Sequence, residues 1–137
     1  MTIRVLIVDD QAPFRTAARA VVETAYGFEV AGEAVTGEAS LEAVQRLSPD
    51  LVLMDVNLPG IDGTEATRRI RGGARALDAA GDHRAPVVLL LSTYEAPDYA
   101  SRAAECGASG YLSKGDFSPD VLEAAWAAAA GHDTTAS

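Results

Sequence analysis

Asp9, Asp10, Asp55, Ser92 and Lys114 are the residues of this 137-residue sequence whose types and settings could do chemistry together. Each ends, or directly follows, a run of apolar residues: "IRVLIVDD" (3–10), "LVLMD" (51–55), "PVVLLLS" (86–92) and "GYLSK" (110–114). Two adjacent carboxylates at the end of a buried run repel each other, and burial strengthens the repulsion. Such a place calls for positive charge. A hard divalent cation such as Mg²⁺, which takes a few carboxylate oxygens and keeps several waters, is one source. The ammonium of Lys114 is another. A carboxylate beside both can attack phosphorus and form an aspartyl phosphate. The cation and the lysine would neutralise the transferring oxygens, and the Ser92 hydroxyl would hydrogen-bond one of them.

These residues meet only if the elements carrying them place them at one edge. Apolar runs alternate with helical patterns along the whole chain. Strands are predicted at 3–8, 28–34, 51–55, 86–92 and 110–114. Phe14, Ala17, Ala18, Val21, Val22 and Ala25 form one helical stripe, with Pro13 suited to its first turn and Gly27 to its end. Leu41, Val44 and Leu47 mark a second helix stopped by Pro49, and a third starts near Thr64. A fourth covers 97–106 up to Gly107, and a fifth covers 118–130 with Ser118 as cap and Pro119 in its first turn. Five βα units with continuous apolar strands imply an α/β fold with a parallel sheet covered on both faces. Ligands of such sheets bind beyond the carboxyl ends of the strands, where the residues above lie. The Gly- and Ala-rich stretch 71–86 reads as a frayed helix end and a mobile loop. Residues 1–131 read as one domain, and 132–137 as a disordered tail.

The bulk composition excludes several classes. Twenty acidic against eleven basic residues give a net charge of −9, the wrong sign for a nucleic-acid surface. No run approaches a membrane span, and no signal peptide is visible. The single cysteine, Cys106, cannot form an internal disulfide, which suits a reducing, cytoplasmic setting. Trp126 lies on an apolar stripe, Asp62 in a loop, and His83 and His132 lack partners at metal spacing, so none of the four is assigned chemistry.

Taken together, "IVDD", "LVLMDVNLPGIDG", "LLLST" and "GASGYLSK" resemble the receiver domain of bacterial two-component response regulators in order, spacing and strand-end placement. The motif "YLSK" followed by an Ala-rich helix is similar to receivers of the LuxR-type, NarL-like class. The resemblance implies a flavodoxin-like (βα)₅ fold with strand order 2-1-3-4-5. It implies that Asp55 accepts a phosphoryl group from a sensor histidine kinase or phosphotransfer protein. It assigns Asp9, Asp10, Asp55 and the backbone carbonyl of Asn57 to Mg²⁺, with Mn²⁺ as a substitute, and Lys114 to the phosphate. Ser92 becomes the switch hydroxyl, with Thr93 beside it as the alternative, and Tyr111 the switch aromatic. Pro59 and Gly63 shape the loop after the acceptor. Asn57 and Tyr94 fall at the two positions that tune the phosphate's lifetime. The sequence departs from the family at Gly115, where Pro commonly follows the lysine, at Thr93, where Ala or Gly is usual, and in the length of 71–86.

Three other classes fit less well. A phosphohydrolase of the haloacid-dehalogenase kind needs an acid two residues after its nucleophile, and Asn57 stands there. A dinucleotide-binding domain needs Gly-x-Gly-x-x-Gly after the first strand, where "DDQAPFR" puts negative charge instead. A receiver that has lost phosphorylation would not retain the full set of Asp, Ser and Lys residues. The expectation is a signalling module that catalyses only its own phosphotransfer and dephosphorylation. Its output would run through protein–protein contact with an unidentified target, not through direct DNA binding, and a homodimer remains open. Whether it stands alone or belongs to a longer DNA-binding regulator is also open.

Overall fold

Alternating side-chain direction along apolar strands gives each strand two buried faces, so each needs cover on both sides. The computed structural model meets this requirement with a five-stranded parallel sheet between two helical layers. It describes residues 2–79, 86–93 and 97–136, with the backbone alone at 73–79, 97–100 and 130–136. The elements are β1 (Ile3–Val8), α1 (Ala12–Thr24), β2 (Phe28–Ala34), α2 (Gly37–Leu47), β3 (Leu51–Asp55), α3 (Gly63–Ala79), β4 (Val87–Ser92), α4 (Pro97–Cys106), β5 (Gly110–Ser113) and α5 (Pro119–Ala136). The order across the sheet is β2-β1-β3-β4-β5, as expected for the flavodoxin-like arrangement.

The two faces sort by residue parity. Val5, Ile7, Leu51, Leu53, Leu89 and Leu91 point to one side, where Ala18 and Val22 of α1 and Leu122 of α5 cover them. Leu6, Val8, Val52, Met54, Val88 and Leu90 point to the other, under Ala43 of α2, Ala66 and Ile70 of α3, and Ala103 and Cys106 of α4. Each fully buried Leu, Ile or Val contributes about 1.5–3 kcal/mol against exposure. The central strands β1, β3 and β4 thus form a stiff platform. The edge strand β2 is wetter, with Glu29 and Glu33 exposed.

Helix ends follow local chemistry. Thr36 caps α2 by accepting from the Ala39 N–H at 2.9 Å, and Ser118 caps α5 by accepting from the Val121 N–H at 3.2 Å. Gly107, at φ +93°, supplies the left-handed turn that ends α4.

Two sequence expectations need correction. The last residues do not form a disordered tail: α5 runs to Ala136. "AAWAAAA" is a strong helix former, no Pro follows it, and Gly131 alone costs only about 1 kcal/mol. The helix end expected within 71–86 is present and extends through Ala79, with Arg71 donating to the Pro86 carbonyl at 2.9 Å, while 80–85, where a loop was expected, lie outside the described residues. Lys114 does not end β5. It opens a 3₁₀ turn, Lys114–Asp116, closed by the Phe117 N–H on the Lys114 carbonyl at 3.3 Å. Among the described residues no helix is long and apolar enough to cross a membrane.

Candidate functional site

The same parity that sorts the core sets the first two acids. Asp9 continues the Val5, Ile7 row of β1, and Asp55 ends the Leu51, Leu53 row of β3, so both rise over the α1–α5 side. Asp9 is fully buried and Asp55 is 3% exposed, whereas Asp10 is exposed. Carboxylate oxygens of all three lie within 4.8 Å of one another. The Asp9–Asp10 turn is fixed from several directions. The Asp9 N–H donates to the Ala34 carbonyl at 3.0 Å, and Asp9 Oδ1 accepts from the Gln11 N–H at 2.8 Å. Arg15 of α1 donates to the Asp9 carbonyl at 2.8 Å and is itself held by Glu33 of β2 at 3.1 Å.

Lys114 reaches into this cluster from the far side of the sheet. Its Nζ lies 2.5 Å from Asp9 Oδ2 and 3.4 Å from Asp55 Oδ1. One ammonium therefore serves two carboxylates. The pKa of Asp55 is raised from 3.8 to about 6. Burial is the main cause and the Asp9 carboxylate the second; Lys114 and the Asn57 N–H, which donates to Asp55 Oδ1 at 3.2 Å, oppose them.

The loop after Asp55 is packed against two neighbours. A Cβ at Gly63 would lie 2.1 Å from the Asp55 carbonyl oxygen, so only glycine lets α3 start so close to the acceptor strand. Asp62 then caps α3, accepting from the Glu65 N–H at 2.9 Å and the Thr64 hydroxyl at 2.8 Å. From the other side Glu38 of α2 accepts from the Ile61 N–H at 3.4 Å. Sequence reasoning treated Asp62 as a plain loop residue, although "DGTE" carries the Asp-x-x-Glu capping spacing that could have identified it. The roles of Arg15, Glu33 and Glu38 leave no such local signal.

The remaining residues are placed as follows. Ser92 is fully buried at the end of β4, one step beyond Leu91, which pairs with Asp55. Thr93 is exposed. Tyr111 is half-buried, opposite Leu90 in the register and packed on the α2–α4 side. Asn57 and Pro59 are exposed in the loop after β3. Tyr94 lies outside the described residues.

With this geometry in place, known proteins give the family. The sequence pattern of the response regulator receiver domain matches residues 5–127. The chain belongs to that family. Response regulator GacA of Pseudomonas viridiflava is 36% identical over 122 residues, which are 89% of this receiver and 53% of that protein. The chain thus spans about half the length of the curated relatives it matches. A LuxR-family two-component response regulator from Aurantimonas superposes with a TM-score of 0.80 at 32% identity, covering 96% of this chain and 87% of that one. The signal receiver domain of a NarL response regulator from Mycobacterium tuberculosis gives 0.74 at 29% identity, covering 90% and 96%. The receiver is thus similar to LuxR-type response regulators of two-component systems.

Proposed function

We propose that this receiver accepts a phosphoryl group on Asp55 and signals through altered protein contacts. The observation that carries the reading is the convergence on Asp55. Its buried carboxylate shares a 4.8 Å cluster with Asp9 and Asp10 and lies 3.4 Å from the only lysine of the chain. In the step, an Asp55 carboxylate oxygen attacks phosphorus and a P–O bond forms. The bond from phosphorus to the donor, a phosphohistidine nitrogen of a kinase or the acyl oxygen of acetyl phosphate, breaks. The leaving group departs with the electron pair. Lys114 pairs with a phosphoryl oxygen, and Ser92, buried at the neighbouring strand end, donates its hydroxyl to another.

The three carboxylates and the Asn57 carbonyl are hard oxygen donors, a set that fits Mg²⁺ or Mn²⁺. Asp9, Asp10, Asp55 and Asn57 would hold the ion, which when bound neutralises phosphoryl oxygens. The receiver's catalysis is confined to its own phosphotransfer and the later hydrolysis, and Asn57 and Tyr94 set the lifetime. A sensor histidine kinase is the donor, and the output partner is a protein.

The test is labelling of the full chain with acetyl phosphate in Mg²⁺ buffer. Wild type should take one phosphoryl group, Asp55→Asn none, and Asp10→Ala far less, with EDTA blocking the reaction. Label surviving in Asp55→Asn, or undiminished by EDTA, refutes the assignment.

A further inference from the structure

Lys114 is held on a third side that neither carboxylate explains. Its Nζ lies 4.5 Å from the centroid of the Phe14 ring, over the ring face. Phe14 sits in the first turn of α1, next to Arg15, which fixes the Asp9 carbonyl. The same ring packs on Phe117, centroids 6.3 Å apart and tilted by 40°. Phe14 therefore touches both ends of the 3₁₀ turn, the ammonium that opens it and the ring that follows it. Between those ends the backbone has little support. Gly115 is exposed, and a Cβ there would meet only the Ser113 hydroxyl, at 3.7 Å.

The site's chemistry makes the third contact matter. The ammonium now leans on Asp9, at 2.5 Å against 3.4 Å for Asp55. To serve a phosphoryl group on Asp55 it must shift between the two acids. Contacts to the carboxylates change when their charge is taken up elsewhere; attraction to an aromatic face does not depend on them. The ring is one of the groups packed on the lysine, whose side chain is 11% exposed.

We propose that Phe14 is a positioning residue for phosphoryl transfer: its ring face holds the Lys114 ammonium at the acceptor, a restraint that the open Gly115 backbone does not supply. The proposal rests on the reading of Asp55 and Lys114 given above. A substitution at Phe14 that removes the ring but keeps apolar bulk loosens the lysine without emptying the core. One that keeps the ring preserves it.

The experiment exploits the single lysine of the chain. Lysine-selective ¹³C labelling of the full-length protein gives one ε-methylene signal, and a ring at this distance shifts it upfield. In Phe14→Leu the signal should return to its ordinary position, and in Phe14→Tyr it should stay shifted. Acetyl phosphate labelling in Mg²⁺ should slow roughly five- to thirtyfold in Phe14→Leu and stay close to wild type in Phe14→Tyr. Thermal unfolding of each variant shows whether it is folded at the assay temperature. An unshifted signal in wild type, or one that Phe14→Leu does not move, overturns the proposal. Equal slowing in the two variants also overturns it, since bulk packing would then be the cause. Wild type that takes no label overturns the reading of the site as well, whereas labelled wild type with an unmoved lysine signal in Phe14→Leu overturns the role of Phe14 alone.

Discussion

Replacing Asp55 by Asn should stabilise the metal-free receiver. The Asp55 carboxyl is 3% exposed and faces Asp9, and its pKa is raised from 3.8 to about 6. Between those two values the native state binds more protons than the unfolded chain, so stability falls as pH rises across that window. Above it the ionised carboxylate destabilises the native state by up to about 3 kcal/mol, at about 1.4 kcal/mol per pK unit. Asparagine removes the charge, keeps the shape, and leaves an oxygen for the Asn57 N–H. Lys114 retains Asp9 as its partner at 2.5 Å. A gain of about 2–3 kcal/mol is expected near pH 8, shrinking below pH 6 and gone by about pH 4. The assay is urea unfolding in excess EDTA, followed by the fluorescence of Trp126. It is the only tryptophan, packed edge-on to Phe28 with centroids 6.4 Å apart, so it reports unfolding rather than events at the acceptor. Adding Mg²⁺ should narrow the gain, because an ion that binds the native wild type stabilises it by mass action. Equal stability of the two proteins at pH 8, or a gain of the same size at pH 4 and pH 8, would refute the argument from a strained buried charge.

Two further predictions concern the frame around the acceptor. Gly63→Ala puts a methyl group 2.1 Å from the Asp55 carbonyl oxygen and 2.9 Å from the Val56 Cα, both backbone atoms that must move. It should cost about 1–3 kcal/mol in urea unfolding and slow acetyl phosphate labelling, and a variant that matches wild type in both would show that the loop yields freely. Beryllofluoride, a phosphoryl mimic, should move amide signals in 93–117 more than in 28–48; Ser92→Ala should suppress those shifts and Thr93→Ala should not, and the reverse pattern would make Thr93 the switch hydroxyl.

Much of the fold was legible because strand runs such as "LVLMD" and "VVLLL" are apolar on both faces, a pattern that only a doubly covered parallel sheet accommodates. The ends of such strands are legible too, since a charge directly after four consecutive apolar residues, as in "VLIVD" (5–9) and "LVLMD" (51–55), falls at the rim. Asp9, Asp10 and Asp55 are therefore legible as a set in the sequence alone, and their convergence within 4.8 Å follows from the strand order. What local pattern could not show was side-chain reach across elements. Nothing near Glu38 points to the Ile61 N–H, 23 residues away, and nothing near Phe14 points to Lys114. Helix length failed at the C-terminus for a different reason. The polar residues after Ala130 suggest a tail, but polarity alone does not stop a helix, and no Pro follows "AAWAAAA" to break it.

The charges of the site link its resting geometry to its chemistry. Three carboxylates face one ammonium, leaving two negative charges uncompensated when all are ionised. Lys114 cannot neutralise both buried acids, and it lies nearer Asp9, the one with no exposure at all. Asp55 lies farther from the ammonium, and burial first, then the neighbouring Asp9 carboxylate, raise its pKa. A divalent ion held by Asp9, Asp10, Asp55 and the Asn57 carbonyl would supply the two missing charges and favour the ionised form of Asp55 in the proposed reaction. Phosphoryl transfer then returns negative charge to the same rim, roughly 1.5–2 units, with three acceptor oxygens. The groups proposed to answer it are Lys114, 3.4 Å from Asp55 and steadied by Phe14, and the buried hydroxyl of Ser92 at the end of β4. Both lie on the β4–β5 side of the sheet, away from the edge strand β2. Under the proposed function, a signal that starts at Asp55 would therefore be drawn toward β4, β5 and the helices that follow them.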